Sequence, residues 1–402
     1  MKRLMSVCAA AVCAALAFAK PKAEWLPADV DVSLAAMCEQ QENTALTAAW
    51  KEALTGLHPA LDQVFAEQED MKKLAAEEPE IYAVVKALTG LSEDGKQMTL
   101  KSLAMGVTLP PSEEQMENTK VVLILENPAF KMEAFDAAVK VLLDKKQEGQ
   151  ESKAEVVKQG DWSLLQEAEE GKQANAVLCY KPCAQGVMFV LAKELALVEA
   201  WLAGPKLAAD APAAAPFAVV KKPSDCAYAL KDVAELLNRY MTDAETRKQV
   251  ELQAPWLFKT HRVMISGSLE GVNGVAKVAA TTDSAEVAGQ LKNALDMYRM
   301  MAAQMILPAV FQKPDAALST WLMKSVTLEA VGAEAQLKAV FEPKEVAAIA
   351  KEFLELQAKQ GQDVDSLFDD EDDEALSDGE DDEDAEMTVE EAKKILDGIE
   401  AK

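Results

Sequence analysis

Two histidines, His58 and His261, are the only imidazoles in this chain of 402 residues. His58 precedes Pro59 at a helix junction, and His261 stands beside Arg262 at the start of a strand. Neither has a sequence neighbour that would make a dyad, and one histidine alone specifies no mechanism. The chain contains no G-x-S-x-G, no phosphate-binding glycine loop, no H-E-x-x-H and no dinucleotide fingerprint. Its 68 Asp and Glu residues offer so many carboxylate pairs that none stands out, and solvated surface is their ordinary role. No catalytic, cofactor-binding or metal-ligating residue is assigned, and no cofactor is expected.

Four cysteines remain once the first nineteen residues are set aside: Cys38, Cys179, Cys183 and Cys226. An even number in an oxidising compartment permits two disulfides in three connectivities. Cys179 and Cys183 flank Tyr180-Lys181-Pro182, which reads as a tight turn, so they are expected to face each other across it. Cys38 would then pair with Cys226. Four buried thiols are the alternative. C-x3-C without a second pair or a histidine is not a zinc pattern.

Three further features carry weaker chemistry. Met297, Met300, Met301 and Met305 recur along one helix; the expectation is core, with an adaptable binding surface as the alternative. Gly267 lies within a strand and is expected to mark a bulge or crowded packing rather than a ligand's approach. Residues 363–386 contain 15 acids and no Lys or Arg. An EF-hand register on Gly379 puts Leu376 where an oxygen is required, so only loose divalent-cation screening by the acidic tail is expected.

The elements that must hold these residues follow from periodicity. Residues 325–331 alternate, with Val326, Leu328 and Ala330 on one side and Ser325, Thr327 and Glu329 on the other. After a turn at Gly332, Ala335, Leu337, Ala339 and Phe341 oppose Glu334, Gln336 and Lys338, the mark of a half-buried antiparallel hairpin. After Pro343 the period becomes helical through Val346, Ile349, Ala350, Phe353 and Leu354. A similar hairpin-then-helix unit occupies 176–203. Strands are also expected at 29–37, 100–109, 120–126, 162–165, 187–191, 262–269 and 275–281. Helices are expected at 131–144, 193–203, 229–241 and 284–306, the last buried through Val287, Leu291, Leu295, Tyr298, Ala302 and Met305 and stopped by Pro308.

The fold class is therefore α+β: two similar halves, each of antiparallel strands and hairpins packed against amphipathic helices, with a disordered acidic C-terminal tail. The divisions are a signal peptide at 1–19, a first α+β half at 20–203, an Ala/Pro linker at 204–223 and a second half at 224–360. An acidic tether at 361–387 and a short amphipathic helix at 388–402 follow.

Lys2 and Arg3, a small apolar run and Ala17-Phe18-Ala19 fit a signal peptide cleaved near Ala19. The chain should accordingly be exported, to the periplasm or beyond. No later stretch is apolar enough to cross a bilayer. The formal charge of −27 repels phosphate backbones, so nucleic acid is not an expected partner. The function these features favour is an exported, non-catalytic binding or scaffold protein of the cell envelope, with an unknown envelope protein as partner. The alternatives are a soluble carrier of a lipid or hydrophobic small molecule and, behind it, an exported hydrolase using carboxylates.

Overall fold

The structure is a computed structural model and describes residues 21–38, 44–57, 74–92, 98–112, 115, 118–146, 153–168, 177–192 and 195–360. The expected signal peptide, His58, the acidic tail and the expected terminal amphipathic segment lie outside these residues.

Twelve strands form one antiparallel sheet. They are β1 Val32–Met37, β2 Ser102–Thr108, β3 Lys120–Glu126, β4 Lys153–Gln159, β5 Trp162–Ala168 and β6 Val177–Cys183. The others are β7 Gly186–Ala192, β8 Cys226–Lys231, β9 Thr260–Glu270, β10 Asn273–Thr282, β11 Val326–Val331 and β12 Glu334–Phe341. The helices are α1 Thr44–Leu54, α2 Pro79–Thr89, α3 Met132–Lys146, α4 Leu195–Ala203, α5 Ala215–Val219 and α6 Val233–Tyr240. They continue with α7 Ala244–Gln253, α8 Ala285–Met301, α9 Leu307–Phe311, α10 Ala317–Ser325 and α11 Pro343–Gln360.

The spatial order is β11-β12-β10-β9-β8-β1-β2-β3-β7-β6-β5-β4. Away from the β1–β8 seam, β1-β2-β3-β7-β6 runs one way and β8-β9-β10-β12-β11 the other. Each run has a helix between its third strand and its hairpin (α3, α8) and a helix after the hairpin (α4, α11). The β4–β5 hairpin is the difference, added at one end. At the seam Ala35 pairs with Ala227 and Ser33 with Ala229. Such small side chains leave room for whatever is laid over them.

Alternation sorts each strand onto two faces. On one face of the first strands, Ala36, Leu103, Leu125, Val187, Phe189 and Tyr180 pack against Val84, Val85 and Leu88 of α2 and Phe135, Val139 and Leu142 of α3. Phe135 meets Tyr180 edge-on at 5.1 Å between ring centroids, the geometry the ring quadrupoles favour. α2 ends at Gly90, whose φ of +65° and N–H to the Lys86 carbonyl make a left-handed cap. β7 is covered on both sides, with Val190 in one core and Val187 in the other, as its unbroken apolar run predicts.

On the opposite face of those strands, Ala35, Ala104, Val122, Ile124 and Val190 meet Leu26, Val30, Val198, Trp201, Phe217 and Val220. Here the expected linker at 204–223 is corrected. Leu207, Ala213, Ala214, Phe217 and Val220 are buried, and the segment forms a 3-10 turn and α5. Alanine and proline read as a spacer in sequence, yet small side chains let the backbone lie flat on the alanine seam. Residues 26–28 and 205–207 are tied by Ala28 N–H to the Pro205 carbonyl and Leu207 N–H to the Leu26 carbonyl, at 2.9 and 2.8 Å.

Other expectations change for similar reasons. Tyr180-Lys181-Pro182 is not a turn: β6 runs through it and pairs with Phe189, Met188 and Val187. β4 was not foreseen, because its charged residues show no clean alternation. Residues 229–231 belong to strand β8 rather than to the start of a helix, since β8 is recruited between β1 and β9. The polar stretch at 244–253 is a helix with no buried residue, capped by the Asp243 carboxylate, which accepts from Thr246 N–H. Pro308 does not stop the helix before it. Residues 302–306 widen to a π-helix, with Leu307 N–H reaching back to the Ala302 carbonyl, and α9 continues to Phe311. The wider turn relieves the clash and missing donor that proline brings to a regular helix.

Candidate binding cleft on the open sheet face

On β9–β12 the two faces are treated unequally. Val263, Ala280 and Ala335 lie under α8, whose Ala288 and Leu291 complete a small core. The other face carries Met264, Ser266 and Ser268 of β9, Lys277 and Ala279 of β10, Gln336 and Lys338 of β12, and Thr327 and Glu329 of β11. This face continues the one covered by 204–223 over β1 and β2. The cover stops at β8, leaving a cleft of about 630 Å³ between Val219, Lys222 and Asp225 on one side and the bare strands on the other. The sequence displayed this polar face in its alternation but not that it would be left open.

The charges in the cleft are mostly in contact. Glu270 receives Lys338 Nζ at 3.2 Å and Lys277 Nζ at 3.8 Å. Lys222 Nζ donates to the Leu269 carbonyl at 2.5 Å. At the far end Arg262 donates to Thr281 Oγ1 at 2.9 Å and lies 3.5 Å from Glu334. Asp225 differs. One carboxylate oxygen accepts the N–H groups of Lys221 and Lys222 at 2.9 and 3.0 Å. The other is buried and has no hydrogen-bond partner. Leaving such an oxygen unsatisfied costs about 1–3 kcal/mol. No reasoning from spacing singled out Asp225.

The sequence-derived candidates are scattered. Cys38, Cys183 and Cys226 are free thiols. Cys179 and Cys183 point to one side of a single strand, separated by roughly 13 Å of extended chain, so the bridge expected between them does not form. Cys38 lies two residues beyond Ala36, which pairs with Cys226; this diagonal is longer than a disulfide spans. Burial pushes the Cys38 thiol up to about 12, with Glu126 adding to it. Cys179 is pushed up to about 11 by burial and then by Glu199. Gly267 serves packing: a Cβ there would sit 3.0 Å from Cys226 Sγ.

His261 has a partner that sequence proximity could not reveal. Its Nε2 lies 2.5 Å from Asp283 Oδ1. Both are exposed at the end of β9, and the carboxylate already takes that nitrogen. α8 is capped by Ser284, the residue after Asp283, its Oγ accepting from Val287 N–H. A second cluster joins α3 to β4–β6. Lys158 Nζ lies 2.6 Å from both Asp136 Oδ2 and Ser163 Oγ, and Tyr180 donates to Asp136 Oδ1 at 3.0 Å. Burial, then Asp136, raises the Tyr180 hydroxyl. The lysine is held as the carboxylate's ion partner, which suits a structural tie rather than a base.

The methionines are not core. Met297, Met301 and Met305 are 53 %, 39 % and 59 % exposed, and Tyr298 is 49 % exposed. α8 buries Val287, Ala288 and Leu291 in its first turns, and its later turns present these side chains to solvent.

Among the described residues no group of three or more His, Cys, Asp or Glu could hold a metal ion. No described helix is long and apolar enough to cross a membrane. No family model matches the chain, and no curated protein matches it. Among solved structures, crystal form III of TP0453 is similar over 83 % of this chain and 98 % of its own, at 8 % identity and a TM-score of 0.37. Crystal form I of the same protein is similar over 83 % and 97 %, at 7 % identity and a TM-score of 0.37.

Proposed function

We propose that this chain is an exported, non-catalytic binding protein of the cell envelope, built from two copies of one strand-and-helix plan, and that it binds at the cleft between Asp225 and β9–β12. The cleft carries the reading: an uncovered sheet face of hydrogen-bonding side chains, with a buried carboxylate oxygen that lacks a partner. The fitting ligand is a polar molecule or extended peptide that offers an ammonium or N–H to Asp225 and acceptors to Ser266, Ser268 and Lys277. Extended peptides suit such surfaces because main-chain groups supply affinity and alternate side chains supply selectivity. The repeated strand order on either side of the seam supports the two-copy reading. The export reading is supported by the signal-like first nineteen residues.

The test is native mass spectrometry of the protein purified gently from its own envelope, compared with Ser266→Trp, which fills the cleft. A polar adduct or peptide on the parent that is missing from the variant is the expected result. An apolar adduct retained by both would move the assignment to the carrier reading. That reading has one feature in its favour, a groove of about 690 Å³ between α2 and α3 lined by Ala83, Ala87, Ala134, Ala138 and Val141.

A further inference from the structure

Residues 297–311, Met-Tyr-Arg-Met-Met-Ala-Ala-Gln-Met-Ile-Leu-Pro-Ala-Val-Phe, contain one charged side chain. That side chain, Arg299, is turned inward: it meets Asp296 at 2.7 Å and donates to the Leu322 and Val326 carbonyls at 3.2 and 3.1 Å. Apart from Gln304 and the Tyr298 hydroxyl, what remains outward is apolar. Met297, Met301, Met305, Ile306 and Val310 are exposed along about 20 Å of helix. A contiguous apolar face of this kind is a contact surface, and methionines make it adaptable.

We propose that this face is the docking site of the chain's own C-terminal segment, residues 388–402. Two facts select that occupant. The first is where the described chain ends. Glu352 of α11 bonds Lys313 Nζ and Ala317 N–H, at the junction of α9 and α10. α11 then runs eight residues further to Gln360, about 12 Å. Residues 361–387 follow, and a random chain of that length would span roughly 30 Å, enough to return to any point on the face. The second is the segment's pattern. Val389, Ala392, Leu396 and Ile399 recur at helical spacing beside Ile395, so one stripe of the segment is apolar and matches a helix-sized groove or face. Tethering raises the local concentration to the millimolar range, so even an intrinsic Kd of roughly 100 µM would leave the face about 90 % covered.

Methionine oxidation by dilute hydrogen peroxide, followed residue by residue by mass spectrometry, reads the coverage. Three forms are compared: the mature chain, a chain ending at Gln360, and the full chain with Leu396→Asp and Ile399→Asp. Roughly tenfold slower oxidation of Met297, Met301 and Met305 is expected in the mature chain than in the other two, as that occupancy implies. Buried Met37 should stay slow in all three, which shows that the body remains folded. Equal rates in all three forms would overturn the proposal. So would protection that fades on dilution together with a dimer, which would make a second copy the occupant. Protection that requires added phosphatidylglycerol vesicles would overturn it too and make a lipid surface the occupant.

Discussion

Asp31 and Arg239 meet at 3.6 Å across the seam of the sheet, with 8 % and 17 % of their side chains exposed. Asp31 precedes β1 and Arg239 lies on α6, so the pair couples the two strand runs. Asp31 Oδ2 also accepts Leu109 N–H at 2.8 Å, and Arg239 reaches the Leu109 and Pro110 carbonyls at 3.4 Å.

Removing one partner of a buried pair leaves the other charge uncompensated. Arg239→Ala should destabilise the protein by about 3 kcal/mol. Asp31→Asn, which keeps an acceptor for Leu109, should cost less. Urea unfolding of both variants and of the double variant measures this, and strict additivity of the two costs would show that they are not coupled.

The residues between 204 and 223 are part of the core, so Phe217→Ala should cost about 3–5 kcal/mol. A surface spacer would lose almost nothing. The midpoint of denaturant unfolding distinguishes the two, with Lys222→Ala as an exposed neighbour for comparison.

Two glycines with positive φ should respond very differently to alanine. At Gly186 (φ +151°) a Cβ would lie 2.7 Å from Asn127 N and from the Leu125 carbonyl oxygen. Gly186→Ala must therefore push β3 and β7 apart, and a loss of at least about 3 kcal/mol is expected. At Gly332 (φ +58°) nothing lies within 4 Å. Gly332→Ala should cost only the left-handed backbone, about 1 kcal/mol. Thermal melts of the two variants provide the comparison.

The Cys38 thiol ionises near its ordinary value of 9.0 in the unfolded chain and only at about 12 in the fold. Between these values the unfolded chain has released a proton that the folded one keeps, so stability falls as pH rises from 9 toward 12. One such group contributes about 1.4 kcal/mol per pH unit. Cys38→Ala should flatten the alkaline loss by on the order of 2 kcal/mol between pH 9 and 11, apart from a pH-independent cavity cost. Urea titrations at those two pH values check the sign. Unchanged alkaline slope in the variant would remove Cys38 as the cause.

Much of the sheet is legible in the sequence because it depends on local alternation. β3 begins and ends at the expected residues, and β11 and β12 lie within a residue or two of theirs. Gly90 and Gly332 mark the ends that their backbone freedom allows. Strand β8 is not legible, because Cys226–Lys231 is a strand only when β1 and β9 flank it. The exposure of Tyr298 and Met305 is hidden for the same reason: helical spacing identifies a stripe but not whether a sheet lies beneath it.

The candidate cleft divides along the same line. That Gln336, Lys338, Thr327 and Glu329 share polar faces follows from a period of two, which the sequence carries by itself. That the 204–223 segment covers β1 and β2 and halts at β8 is a long-range packing outcome. It leaves this polar face bare and places Asp225 at its edge with one oxygen unmet. His261 with Asp283, and Asp136 with Lys158 and Tyr180, are likewise products of chain distant in sequence. The sequence determined most of the strands, the faces they present and the absence of a recognisable catalytic motif, because these depend on neighbours along the chain. The tertiary structure decided which faces are covered and which charges meet, because those depend on neighbours in space.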